Sequence, residues 1–331
     1  MRYTRFPGTD WNVSRIVMGC WALAGDQTWG FQDEQEAIAT IHAAIDVGIN
    51  FFDNAELYGN GLAESILGKA LIGRRDRVFI ASKFNWEHAR SEQVIAACER
   101  SLRRLQTDYI DLYQIHWANW DVPFEETWGA LQRLREQGKI RAIGVCNFGP
   151  RDLSAILQLG HPSTNQLPYG PLFRAIEFEV VPACLAAGVG ILCYSPLTIG
   201  LLTGKFSTAD EVPAGRARTR HFSSQRPLTR HGEPGCEEET FKAIAEIASL
   251  AQALNVSIPQ LALAWLLQRP GVLGVINGMR RPDQAVQNAI AAEIDLDSSV
   301  ASRIEMITDQ IKEKLGANPD MWEGAERSRF R

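Results

Sequence analysis

No apolar run in this 331-residue chain reaches the roughly 18 residues that a bilayer-spanning helix needs, so no membrane partner is expected. Its opening residues, Met1-Arg2-Tyr3-Thr4-Arg5-Phe6-Pro7-Gly8, contain no apolar h-region, which counts against a secretory signal. A basic excess is missing as well. The net charge is −5, which leaves nothing for the positive footprint of a nucleic-acid binder. The six cysteines contain no C-x-x-C pair. Scattered thiols in so long a chain point to a reducing compartment, without a disulfide framework or a metal site. What the chain does have is 45% apolar and 22% charged residues, enough for a full core under an ordinary surface. The expectation is a cytoplasmic, soluble protein of enzyme size.

Strand-like runs alternate with amphipathic helical ones. Residues 33–47 read as a helix: Asp33 caps it, Glu36 follows three later, and Ala37, Ile38, Ile41, Ala44 and Ile45 share one face. The spacing predicts further helices over 61–71, 91–105 (capped at its start), 123–137, 152–159, 177–187, 241–254, 258–267, 282–292 and 298–315. Strands are predicted over 14–19, 49–52, 77–83, 109–116, 140–145, 163–167, 188–194 and 271–276. This makes about eight strand–helix units, the rhythm of a (β/α)8 TIM barrel, here one barrel domain over residues 1–331. A doubly wound open sheet ranks lower. No G-x-G-x-x-G follows the first strand, and polar strand ends are spread over many units. Residues 206–236 break the rhythm. Rich in Pro, Gly, Ser and Arg, they are too long for an ordinary barrel loop, and form either a lid over the active face or a disordered insertion. Residues 316–331 are left as a C-terminal tail.

The strand ends carry the chemistry. Ile49-Asn50-Phe51-Phe52 is a buried strand that runs directly into Asp53, and Tyr58-Gly59-Asn60-Gly61 is turn chemistry that puts a phenol on the loop beyond. Other strands end in Lys83, His116, Asn147, Gln166 and Tyr194, and in a closed barrel these ends converge on one mouth. A phenol has an ordinary pKa near 10. An ammonium beside it favours the phenolate, so Lys83 is expected to ease proton release from Tyr58, with Asp53 holding the lysine. His116 would orient a substrate oxygen. Such a site protonates an oxyanion as it forms, which suits carbonyl reduction.

Phe52-Asp53-Asn54-Ala55-Glu56-Leu57-Tyr58-Gly59-Asn60-Gly61-Leu62-Ala63-Glu64 is similar to the F-D-T-A-x-x-Y-G-x-G-x-S-E signature of the aldo-keto reductases. Asp53, Tyr58, Lys83 and His116 fall on that family's catalytic tetrad. Ile143-Gly144-Val145-Cys146-Asn147-Phe148, Asn165-Gln166-Leu167-Pro168-Tyr169, Tyr194-Ser195-Pro196-Leu197 and Gly200-Leu201-Leu202-Thr203-Gly204-Lys205 resemble further family segments in the same order. The resemblance covers nearly the whole chain. It implies an N-terminal hairpin that plugs the barrel bottom, a long loop after the seventh strand, and binding of NADP(H), with NAD(H) possible. Asn147 and Gln166 would hold the nicotinamide carboxamide, Tyr194 would stack on the ring, and Trp21 would lie at the same cofactor. Ser195, Leu197, Gly200, Leu202 and Lys205 would contact the pyrophosphate, and Gly278, Arg280, Gln284 and Asn288 the adenosine with its 2′-phosphate. A guanidinium suits a phosphate, so Arg280, or Arg281 beside it, favours NADP. The chain departs from the pattern at Asn54, Ser82, Cys146, Asn277 and Gln287, none of them in the tetrad.

The implied activity is reduction of an aldehyde or ketone, whether a small carbonyl or a sugar, with Tyr58 as proton donor. Two alternatives accompany it: a sugar or alcohol dehydrogenase working oxidatively, and a cofactor-binding regulatory subunit like the channel β subunits. Trp21, Trp29, Trp86, Trp117 and Trp120 follow strand ends, and an aromatic-walled mouth suits flat aldehydes or a sugar face. Trp86 and Trp117 are expected to touch substrate.

Overall fold

The computed structural model describes residues 1–26 and 28–331. Eight parallel strands close a barrel: β3 (Ile16–Gly19), β4 (Phe51–Asp53), β5 (Phe79–Phe84), β6 (Ile110–Ile115), β7 (Ile140–Cys146), β8 (Thr164–Pro168), β9 (Gly190–Tyr194) and β10 (Val272–Gly278). Closure is made by β10, which pairs with both β3 and β9. That double pairing removes the open-sheet alternative. The strands are short, apolar and almost wholly buried, as strands covered on both faces must be.

Below the barrel, β1 (Tyr3–Arg5) and β2 (Asn12–Ser14) form the antiparallel hairpin. Phe6 and Trp11, at its turn, pack against the inward-facing Val17, Phe51, Leu112 and Leu192. Phe6 meets Phe51 edge-on at 5.9 Å and Trp11 stacks on Phe79 at 5.4 Å. The hairpin seals the bottom with aromatic area, and the chemistry is left to the opposite end.

The outer helices are α1 (Glu34–Asp46), α2 (Leu62–Ala70), α3 (Ser91–Leu105), α4 (Phe124–Glu136), α5 (Pro150–Leu157), α6 (Val180–Ala187), α7 (Glu237–Ala253), α8 (Ile258–Leu267), α9 (Pro282–Ala291) and α10 (Ser298–Leu315). Asp33 caps α1 by accepting from the Glu36 N–H at 2.9 Å. The start of α3 differs from expectation. Arg90 stands at its cap position and no side chain of its own turn caps it. Glu126, on α4, accepts the Ser91 N–H at 3.0 Å instead, so a tertiary contact replaces the local one. Among the described residues, no single helix is long and apolar enough to cross a membrane.

The segment 206–236 holds one short 3-10 turn, Ala209–Glu211, and is otherwise irregular but heavily bonded. The buried Arg220 pairs with Glu233 at 2.8 Å and donates to the Asn318 carbonyl at 2.8 Å. Arg226 bridges Glu237 and Asp210. The His221 ring, fully buried, contacts the Leu172 carbonyl through Nε2 at 2.8 Å and the Thr219 hydroxyl through Nδ1 at 3.1 Å.

Burial lowers the His221 pKa to about 4. An unfolded histidine titrates near 6.5, so the unfolded chain binds this proton first. Stability is therefore full above about pH 6.5 and falls as pH drops toward 4, by an upper limit of about 3 kcal/mol from this one group. In His221→Gln, the acid slope of denaturation midpoints should flatten by one proton's share. An unchanged slope would contradict a neutral buried His221.

Candidate active site

The β4 strand delivers Asp53 to the mouth, and the chain then reverses. Gly59, Asn60 and Gly61 all hold left-handed φ values, 57, 52 and 90°. This turns Tyr58 back over the barrel. At Gly61, where φ is 90°, a larger residue would be strained in the backbone, and its Cβ, 2.3 Å from the Arg104 guanidinium, would displace that side chain. Arg104 pairs with the fully buried Glu64, which also accepts from the Ser82 hydroxyl at 2.6 Å. Glu64 thus grips β5 at the residue before Lys83, a positioning role that sequence patterning alone did not single out.

Lys83 is wholly buried on β5. Its Nζ donates to Asp53 Oδ2 at 2.8 Å, to the Asn54 carbonyl at 2.7 Å and to the Tyr58 hydroxyl at 3.1 Å. The second Asp53 oxygen accepts from Gln166 Nε2 at 2.7 Å, so neither side of the buried carboxylate is left bare. Burial works against the Lys83 charge, but Asp53 and Tyr58 more than offset it and hold its pKa above the ordinary value. For Tyr58 the balance is opposite to the simplest expectation. Burial pushes the phenol up to about 12, outweighing the pull of Lys83. The phenol is therefore protonated at neutral pH, the state a proton donor requires.

His116, one residue past β6, meets the Tyr58 ring edge-on at 5.9 Å. Burial, then the charges of Lys83 and Arg329, hold its pKa well below the usual histidine range. Its Nδ1 is buried without a partner among the described residues. The ring faces the mouth as a neutral imidazole, able to hydrogen-bond an oxygen without placing a second cation beside Lys83.

The residues expected at the nicotinamide form one chain of contacts. Tyr194 donates its hydroxyl to Asn147 Oδ1 at 2.9 Å, and Asn147 Nδ2 donates to the His116 carbonyl at 3.0 Å. Asn147 itself takes a left-handed φ of 63° at the end of β7. Cys146 beside it is fully buried, and burial pushes its thiol well up. Trp21 stacks on Tyr58 at 6.1 Å and anchors to Asp26 through Nε1 at 2.9 Å, which places it against the phenol ring. Trp86 is partly exposed, with its carbonyl bound by Asn119. Trp117 is buried, with the Arg329 guanidinium 3.8 Å above its ring.

Beyond Tyr194 the backbone turns sharply. Ser195, Thr198, Ile199 and Gly200 have φ values of 52, 48, 52 and 92°. A left-handed β-branched residue is costly, and successive turned N–H groups of this kind make a concavity for anions. The Leu202 side chain is core, whereas Leu197 is half-buried and Lys205 exposed. Arg216 lies across this turn: a Cβ on Gly200 would sit 3.4 Å from its Nη1. Arg280 follows β10, where Gly278 pairs with Gly19 of β3. The Gln284 side chain accepts the Arg280 N–H at 2.7 Å, and the buried Asn288 has no partner for its Nδ2 among the described residues.

Among the described residues neither Arg216 nor Arg280 pairs with a carboxylate. Burial lowers the Arg216 pKa, and Arg280 lowers it further. Two uncompensated guanidiniums flanking an anion-binding turn fit a polyanion such as a dinucleotide. Arg281, by contrast, pairs with Asp283 at 3.1 Å. Arg280 is not idle in this state: it donates to Gln32 Oε1 at 2.7 Å and to the carbonyls of Trp29 and Phe31.

A model of the Aldo/keto reductase family matches residues 15–309. The chain belongs to this family. Among curated relatives it is 33% identical to the NADH-specific methylglyoxal reductase of Escherichia coli over 92% of this chain and 97% of that one. An aldo-keto reductase from Klebsiella pneumoniae solved in complex with NADPH superposes with a TM-score of 0.75 at 31% identity, over 93% of this chain and 95% of that one. The glycerol dehydrogenase of Gluconobacter oxydans superposes with a TM-score of 0.81 at 31% identity, over 96% and 97%.

Proposed function

We propose that the chain reduces a small aldehyde or ketone to the alcohol, using NADP(H) and accepting NAD(H). The observation that carries this reading is the buried Lys83 ammonium held between Asp53 and the Tyr58 hydroxyl, at the mouth where His116 also points. Reduced nicotinamide, when bound, supplies the hydride equivalent that the carbonyl carbon takes up. His116 and Tyr58 hold the carbonyl oxygen from two sides. Tyr58 gives it the phenolic proton as negative charge develops, and Lys83 stabilises the phenolate that remains. Asp53 keeps Lys83 charged and in place. Asn147, Gln166 and Tyr194 would bind the nicotinamide end, the 195–205 turn with Arg216 the pyrophosphate, and Arg280, Gln284 and Asn288 the adenosine end. All six cysteines are free and buried, which fits the reducing interior of a cell, and we place the protein in the cytoplasm.

The carbonyls that already occupy Arg280 compete with a 2′-phosphate, so the preference for NADPH over NADH should be moderate. Arg280→Ala should weaken NADPH by about tenfold or more, the scale of a charge-assisted hydrogen bond, and NADH much less. Tryptophan-fluorescence titration with both cofactors checks this. An equal loss for the two would contradict a 2′-phosphate role. The oxidative reading draws support from the likeness to a glycerol dehydrogenase. Comparing carbonyl reduction with alcohol oxidation at raised pH separates the two directions.

A further inference from the structure

The link from Asp53 to Tyr58 carries a second acid, Glu56, and it is buried. Although β4 ends at Asp53, the chain goes on pairing with β5 beyond it. The Asn54 N–H donates to the Ala81 carbonyl at 2.8 Å, and the Glu56 N–H to the Lys83 carbonyl at 3.1 Å. The Glu56 side chain takes the next step, its Oε1 accepting the Asn85 N–H at 2.8 Å. A carboxylate thus continues the ladder where the backbone turns away toward Tyr58.

The same oxygen lies 2.7 Å from His88 Nδ1, in the 3-10 turn Trp86–His88. The other, Oε2, accepts from Arg100 Nη2 on α3 at 3.1 Å. Burial alone would raise the Glu56 pKa, but the Asn85 N–H, His88 and Arg100 hold it below the ordinary carboxylate value. The acceptor is an anion with donors on both oxygens. Glu64 repeats the arrangement at the far end of the turn. It takes Arg104, one helical turn after Arg100 on α3, and the Ser82 hydroxyl on β5. The two acids bracket Tyr58 in sequence, and their holds on β5, at Ser82 and Asn85, bracket Lys83. Of the two, Glu56 is nearer the phenol along the chain. The Tyr58 hydroxyl has Lys83 as its one hydrogen-bond partner among the described residues, so no second bond at the tip of the ring corrects slack introduced at Glu56.

We propose that Glu56 is a positioning residue for the proton transfer: it locks the link that carries Tyr58 onto the strand that carries Lys83, and so keeps phenol and ammonium in register. The proposal rests on the reductase reading. Its rival is a buried ion pair that serves the fold alone, and the two differ in what they ask of the side chain. Register needs reach to the Asn85 N–H, whereas an ion pair needs charge opposite Arg100 and His88.

Two substitutions separate reach from charge. Glu56→Asp keeps the charge and is one methylene too short for the Asn85 N–H. Glu56→Gln keeps the reach and loses the charge, and Arg100, 34% exposed, can turn to water. Single-turnover oxidation of bound NADPH by methylglyoxal, or by the best carbonyl of a panel, reads the chemical step in the full chain. Glu56→Asp should slow it about 10- to 100-fold, the effect of a displacement near 1 Å, with NADPH affinity within about threefold of wild type. Glu56→Gln should stay within about fivefold of wild type, the scale of one weakened hydrogen bond. In a Tyr58→Phe background Glu56→Asp should cost less than about threefold more, because a residue acting through the phenol has nothing left to position. Glu56→Gln as slow as or slower than Glu56→Asp would overturn the proposal in favour of the ion pair. Equal losses from Glu56→Asp with and without the phenol, or a parallel loss of NADPH affinity, would overturn it as well. Wild-type protein that binds NADPH and oxidises it with no carbonyl would overturn the reductase reading itself, a result distinct from the others.

Discussion

Replacing Tyr58 with phenylalanine will cut the turnover number for carbonyl reduction by about 10²- to 10⁴-fold, the usual contribution of a positioned acid, while NADPH still binds. Among the described residues of the mouth, the phenol alone is both protonated at neutral pH and held by an ammonium ready to stabilise its conjugate base. His116 is a neutral imidazole there and has no proton to spare without becoming an anion. Removing the hydroxyl takes only one of the three acceptors from Lys83, leaving Asp53 and the Asn54 carbonyl, so the fold should hold. Steady-state kinetics beside a fluorescence titration would separate the two effects. A parallel loss of cofactor affinity would show that the hydroxyl serves cofactor binding and not proton transfer alone.

Replacing Lys83 with methionine should damage both activity and stability. Asp53 would remain buried with Gln166 as its one side-chain partner, and stranding half of a buried pair costs about 3–5 kcal/mol. The phenol would lose the only neighbour that favours its ionised form, so proton transfer should slow by orders of magnitude. The double variant Asp53→Asn with Lys83→Met separates the effects. It removes both charges and should recover most of the stability in urea denaturation, yet none of the activity. Recovery of activity in the double variant would mean that Lys83 serves only the fold.

Much of this site is written in short stretches of sequence because its geometry is local. Asp53 and Tyr58 are five residues apart on one strand and its turn, and Lys83 and His116 each mark where an apolar run stops. The helices Ile258–Leu267 and Ser298–Leu315 were readable to the residue, since Ser257 and Asp297 cap them from within their own first turns. What escaped depends on distance along the chain. The cap on α3 comes from Glu126, thirty-five residues away. The raised pKa of Tyr58 follows from burial, which no pair of neighbouring residues reveals. Arg216 lies in an irregular loop where nothing periodic marks it. Trp322 and Arg329 lie in a tail whose partners, Tyr194 and Trp117, precede it by more than a hundred residues. The two segments least legible as sequence are the ones that pack against the turn after Tyr194 and against Trp117. Irregular chain is fixed by tertiary contacts, and binding surfaces are commonly built from it.

In the proposed reaction Tyr58, set by Lys83 and Asp53, protonates a carbonyl oxygen while bound reduced nicotinamide is oxidised. A single-turnover experiment tests it most directly: protein saturated with NADPH is mixed with methylglyoxal, and the nicotinamide fluorescence is followed in time. The wild type should oxidise the NADPH completely, and Tyr58→Phe should do so at a rate lower by about 100-fold or more. NADPH that binds and stays reduced with every carbonyl offered, or is oxidised equally fast without the phenol, would contradict it.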